Sequence, residues 1–366
     1  MRELDGACSD IPCFIAGFDH HSAACNTRAF TLLGYDNHSP DPVGGTIVRD
    51  RSGAPTGLLL EAAYTRARER LPQPSRHEAR TLITTACSHL ASLGCVEVHD
   101  LLAQDWLGPV LAEMSNAETL SMPVGVFVPM DPSENFATFD AAVRAAAAWQ
   151  RPKVRLLGGK VFADGTLNSA TAAMLTPYRE PIPLAPNGQL LMDKGTIVRT
   201  MRHLSSLADA WKPNQPTLAV HAIGDLAVRT VLDAYQEVGG LARSGISLRI
   251  EHAEIIDAAD VPRFVDLGVV ASVQPCHLLY DIEVLRRQFP KRLDRVLPLR
   301  EMIDAGLKPG ESLIFGSDVP IVRAEPEDSI LAATHRRRLS MPPSEAIARH
   351  HAITQHEALA CFGSTD

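Results

Sequence analysis

The stretch LAVHAIGDLAVRTVLDAY, residues 218 to 235, runs from an apolar segment into a histidine, then a glycine and an aspartate, then apolar residues at helical spacing. It reads as a buried strand giving way to a helix, with an imidazole at the junction. Three further stretches share the arrangement: RIEHAE (249 to 254) ends on a histidine, LLGGKVFADG (156 to 165) carries a lysine, and LIFGSDVP (313 to 320) carries an aspartate.

Working outward, short apolar runs alternate with longer segments of helical period from about residue 77. The runs are GCVEVHD (94 to 100), PVGVFVPM (123 to 130), VRLLGGKVFADG (154 to 165), TLAVHAIGD (217 to 225), SLRIEHAE (247 to 254), GVVASVQPCH (268 to 277) and SLIFGSDVP (312 to 320). Helices are expected over 77 to 93, 139 to 150, 193 to 210, 227 to 238 and 258 to 268. Continuous apolar strands alternating with helices indicate a parallel sheet covered by helices. The polar residues all fall at the carboxyl ends of the runs, which favours a (β/α)8-type TIM barrel over a doubly wound sheet. No GxGxxG follows the first run, so a dinucleotide fold has no support. Residues 36 to 57, rich in glycine, proline and aspartate, read as an ordered surface loop.

Composition bounds the function. With 366 residues, 45% hydrophobic and 21% charged, the chain supports a large buried core. A net charge of -8 gives no basic footprint, so no nucleic-acid partner is expected. Seven cysteines at 8, 13, 25, 87, 95, 276 and 361 form no CxxC pair and read as reduced thiols of a cytoplasmic protein. No apolar stretch approaches the ~20 residues that cross a bilayer, so neither membrane insertion nor secretion is expected.

In a closed parallel barrel the carboxyl ends of the strands converge, so Lys160, His221, His252 and Asp318 are expected to face one centre. Each alone has a plainer reading: a core histidine, a snorkelling lysine, an aspartate capping a turn. Together, two imidazoles with oxygen donors suit a divalent metal such as zinc, which lowers the pKa of its water to roughly 7. Asp318 would then accept and return a proton, and burial would favour a neutral Lys160 amine.

These stretches, in order with DHHSAACNTRAF (19 to 30) and DPVGGTIVRDRSGAPTGLLLEAA (41 to 63), resemble the amidohydrolase superfamily, and more closely its amidohydrolase-3 branch. The resemblance implies a metal-dependent hydrolase of C–N bonds in non-peptide or cyclic amides. It implies that Lys160 is carboxylated and bridges metal, that His221 and His252 are metal ligands, and that Asp318 binds metal and shuttles the proton. One departure matters: members begin their barrel with a strand ending in His-x-His, and this sequence contains none. The chain is therefore expected to form an incomplete barrel, strands equivalent to 2 to 8, over residues 76 to 366, with residues 1 to 75 as an inserted lobe over the pocket and no β-sandwich domain. At most one well-held metal is expected. IPCFIAGFDHH (11 to 21) is a candidate plug for the vacant strand position.

His21, His99, Gln274 and His277 are the expected substrate-binding residues. Asp225 either lines the pocket or caps a helix, Asp164 and Gly165 shape the turn after their strand, and HRRRL (335 to 339) reads as solvated charge. The partner is a small-molecule substrate, and the exposed edges of an open barrel admit a homo-oligomer. Two competing readings are a catalytically impaired barrel that only binds small molecules, and an incomplete gene product.

Overall fold

The structure is a computed structural model that describes residues 1–17, 22–42, 45–181 and 185–363. It divides into two units, Met1–Ser75 with Val319–Ile321, and Arg76–Asp318 with Val322–Asp366.

In the smaller unit, β1 (Phe14–Ala16), β2 (Ser22–Cys25), β3 (Gly45–Arg49) and β4 (Pro55–Glu61) form an antiparallel sheet in the order β1-β2-β4-β3. Ala23, Cys25, Phe30, Tyr35, Ile47, Leu59 and Tyr64 make its core. Two expectations are corrected here. Residues 36 to 57 are not simply a loop: they contain β3 and the start of β4, because Ile47 and Leu59 have a buried face to fill. The segment from Ile11 does not plug a barrel, since Phe14, Ile15 and Ala16 pair with Cys25, Ala24 and Ala23. His20 and His21 lie outside the described residues.

The larger unit is a single parallel sheet of seven strands: β5 (Val98–Asp100), β6 (Val124–Pro129), β7 (Val154–Phe162), β8 (Thr217–Ala222), β9 (Ser247–His252), β10 (Val270–Val273) and β11 (Leu313–Phe315). They follow one another in chain order from β5 to β11 and curl through 236°, an incomplete TIM barrel. β5 and β11 are the two edges, each with one neighbour among the described residues.

Alternation along the strands separates two environments. Leu218, Val220, Leu248 and Ile250 are fully buried in the core that the helices cover. Helix Asp225–Glu237 supplies Val228, Val231, Leu232 and Tyr235 to that core, the i, i+3, i+4, i+7 face of an amphipathic helix, and the Tyr235 hydroxyl donates to the Ile246 carbonyl at 2.8 Å. The intervening positions, Ala219, His221, Arg249 and Glu251, face the other side of the sheet.

A bulge sets which residue of β7 joins them. Val126 pairs with Leu156, but Phe127 pairs with Gly158, so Leu157 is an extra residue. Without it, the period-two alternation that puts Arg155 on one face would send Lys160 to the opposite one. With it, Lys160 registers with Ala219 and Phe162 with His221. Gly158 makes the bulge possible, because a Cβ there would fall on the Thr217 carbonyl of β8.

HRRRL is also corrected in part. Arg338 pairs with Glu283 at the surface, but Arg336 is fully buried and donates to the carbonyls of Val296 (2.6 Å), Leu297 (3.1 Å) and Ile347 (3.1 Å). A charge run read one-dimensionally cannot show which member turns inward.

Candidate metal and catalytic site

At and just past the carboxyl ends of β7, β8, β9, β10 and β11 five chain segments bring polar groups together. Lys160 is buried, its ammonium 5.1 Å from the centre of the Phe162 ring. The His221 ring lies 5.2 Å from Phe162 and meets His252 edge-on at 4.6 Å. His252 stacks on His277 at 5.8 Å, and His277 Nε2 lies 3.7 Å from Asp318 Oδ2. Donor atoms of His252, His277 and Asp318 all fall within 4.8 Å of one another.

The electrostatics follow from burial. Desolvation pushes the Lys160 amine down to about 8, against the pull of Glu251 and Asp318. Burial holds His252 well below the ordinary histidine value, helped by His221, Lys160 and His277, and lowers His277 to about 4. Both rings are therefore neutral near pH 7, the form that ligates metal. Burial and Glu251 raise Asp318 to about 6, opposed by Lys160.

Second contacts orient these groups. His221 Nε2 lies 3.1 Å from the Gly165 carbonyl and 3.6 Å from Asp164 Oδ1, the kind of outer support that fixes a ligating imidazole. Asp164, wholly buried, accepts from the backbone N–H groups of Ala173 (2.8 Å), Ile223 (3.0 Å) and Gly224 (2.9 Å), and thereby ties the segment after β7 to the turn after β8. Its expected turn-shaping role thus extends to a clamp behind His221. Asp225 is the first residue of its helix, with Gly224 as cap; its buried carboxylate accepts from Leu175 N–H at 2.8 Å and pairs with Arg292. It holds the same loop and does not cap its own helix.

Of the expected substrate residues, His277 stands inside the cluster. Gln274 is buried, and its amide donates to the Ser272 carbonyl at 3.2 Å. His99 sits in a charge network across the sheet: its Nδ1 is 2.9 Å from Arg249 Nη1 and its Nε2 is 3.1 Å from Glu97, which also pairs with Arg155. Arg249 in turn pairs with buried Glu251, whose charge acts on Lys160. Glu251 and Arg249 were not singled out from sequence. The signal was present in LRIEH, where charged residues alternate with Leu248 and Ile250 and mark a polar strand face.

The donor set fits a divalent cation. The buried Nδ1 of His252 and Nε2 of His277 make no hydrogen bond among the described residues, and buried ring nitrogens without partners are rare in proteins. The backbone is also strained here: His252, Ala253 and Asp318 have φ of 72°, 42° and 61°, a conformation that costs non-glycine residues about 1–3 kcal/mol each and clusters at functional sites.

A curled parallel sheet with histidines and carboxylates gathered at the carboxyl ends of its strands is the architecture of metal-dependent hydrolases, and the whole chain bears this out. It belongs to the Amidohydrolase family, whose model matches residues 1–364. The chain is similar to a structure of a metal-dependent hydrolase from Pyrococcus horikoshii, with a TM-score of 0.77 and 25% identity over 99% of this chain and 67% of that one. It is 29% identical to protein LONG AFTER FAR-RED 3 of Arabidopsis thaliana over 89% of this chain and 55% of that protein. It is 25% identical to the N-substituted formamide deformylase of Arthrobacter pascens over 98% of this chain and 65% of that one. The chain thus spans between half and two thirds of these two relatives' lengths.

Proposed function

We propose that this protein hydrolyses C–N bonds of non-peptide or cyclic amides with the help of a divalent cation, zinc by the chemistry of its donors, held among Lys160, His221, His252 and Asp318. The observation that carries the reading is the cluster at the strand ends, where donors of His252 and Asp318 lie within 4.8 Å of each other, the His221 ring meets His252 at 4.6 Å, and Lys160 acts electrostatically on Asp318. The kinship with a metal-dependent hydrolase and a formamide deformylase supports it.

When bound, such a cation lowers the pKa of water and polarises a carbonyl oxygen. The protein's own groups do the rest. His252, held well below the ordinary histidine value by burial, is a neutral donor, and the ring of His221 is oriented by the Gly165 carbonyl and Asp164. Asp318, raised to about 6, is largely ionised at neutral pH yet close enough to that value to accept a proton from water and return it to the leaving nitrogen. Lys160 adds an amine whose burial makes the neutral form accessible, the state that reacts with CO₂ if the side chain is carboxylated. Phe162, 36% exposed, forms an apolar wall beside the reacting groups.

A small-molecule-binding barrel without turnover is the competing reading, favoured by a seven-strand sheet whose edges β5 and β11 stay unclosed among the described residues. Protein stripped with a chelator and reloaded with zinc, assayed on N-substituted formamides, N-acyl amino acids, hydantoins and simple amides, separates the two. Hydrolysis that disappears with chelator and returns with metal is expected. Absence of turnover on the whole panel by metal-loaded protein would overturn the hydrolase.

A further inference from the structure

We infer that His277 is itself a ligand of the cation, a further close donor beside His252 and Asp318 of the residues proposed above. This rests on the reading above that a divalent cation binds at the strand ends, and it replaces the substrate contact expected of His277 from sequence.

Three independent observations carry it. The first is distance. Zinc binds nitrogen and oxygen donors at about 2.0–2.2 Å, which in a tetrahedron sets them about 3.4 Å apart. His277 Nε2 and Asp318 Oδ2 are already at 3.7 Å, and the three donors of the set lie within 4.8 Å. Small side-chain rotations close the remainder.

The second is the orphaned nitrogen. His277 Nε2 is the atom that lies against Asp318, and it is also the ring nitrogen that makes no hydrogen bond among the described residues, as is Nδ1 of buried His252.

The third is the backbone. His252 and Asp318 both sit at strongly positive φ at the ends of their strands, whereas His277 opens the twelve-residue helix His277–Gln288 in ordinary geometry. The two strained residues face a third held on a rigid element, an arrangement that keeps a ligand set in place before the ion arrives. Imidazole nitrogens and a carboxylate oxygen are donors that catalytic zinc uses.

The test uses the full chain and Co²⁺ as a visible-absorption probe in place of the native ion, with affinity measured by chelator competition. His277→Phe keeps the ring volume and removes the donor; His277→Ala is the second variant, and tryptophan fluorescence and melting in chelator show which of them is folded. Wild type is expected to bind Co²⁺ with a ligand-field spectrum. Folded variants are expected to lose affinity by more than about 100-fold, because removing even an outer partner of a ligand costs about 10–100-fold. Wild-type affinity and spectrum in a folded variant would overturn the assignment of His277 and leave the hydrolase reading standing. Cobalt binding that needs His277 without hydrolysis of any amide supports the ligand and overturns the hydrolase. No cobalt uptake by wild type removes both.

Discussion

Replacing Asp164 by alanine probes the clamp behind His221. The carboxylate is wholly buried and accepts three backbone N–H bonds, Oδ2 from Ala173 and Gly224 and Oδ1 from Ile223. Each buried donor left unpaired costs about 1–3 kcal/mol, so three give a gross cost of about 3–9 kcal/mol. Part of that is offset, because burial of the carboxyl is itself unfavourable and pushes it up to about 7. A net loss of about 3–5 kcal/mol is expected for the alanine variant, a value typical of breaking a buried polar cluster. Asparagine is the internal comparison. With its oxygen in the Oδ2 position it keeps two of the three acceptor contacts and sets an amide against the Ile223 N–H, a loss of about 1–3 kcal/mol. All three tryptophans, Trp106, Trp149 and Trp211, lie in the larger unit, so their fluorescence in urea follows the barrel without the smaller unit. A loss below about 1 kcal/mol for Asp164→Ala, or an asparagine variant as damaged as alanine, would refute the clamp.

Lys160→Ala is expected to lower the metal content of protein purified in zinc-containing medium, measured by elemental analysis; equal content in both proteins removes the lysine from the ligand set. Gly158→Ala should destabilise the barrel by about 1–3 kcal/mol or more, as overpacking does, because the new Cβ falls on the Thr217 carbonyl; an unchanged urea midpoint contradicts the bulge geometry. For pH, burial and Arg249 depress His99 in the fold below its ordinary value. Below the unfolded-state value of about 6.5 the unfolded chain therefore binds more protons, and stability falls as pH falls. His99→Gln should flatten the stability curve between about pH 5 and 7, and a variant with the same acid-side slope as wild type shows that other groups cause it.

The placement of the candidate site residues was legible one-dimensionally because parallel strands leave little freedom about where their carboxyl ends go. Once the apolar runs were strands in chain order, Lys160, His221, His252 and Asp318 had to lie along one rim, and the helices over 76–92, 137–149, 194–206, 225–237 and 261–267 follow the expected spans within a few residues. Pattern alone did not reach β3, whose only fully buried side chain is Ile47, flanked by Gly45, Thr46, Val48 and Arg49. Nor could it separate buried Arg336 from its exposed neighbours.

The sequence by itself determined the type and order of the large unit's elements and the identity of the groups at their ends, since periodicity and composition are local properties. Three decisions belonged to the tertiary structure. The extra residue Leu157 turns Lys160 onto the site's face, because a slip of one residue reverses a strand. The packing of the loop after β7 against the turn after β8 buries Asp164 where three N–H groups need an acceptor. The helix that begins at His277 brings a third donor to His252 and Asp318, residues 25 and 41 positions away in the chain by the numbering, a distance that only folding closes.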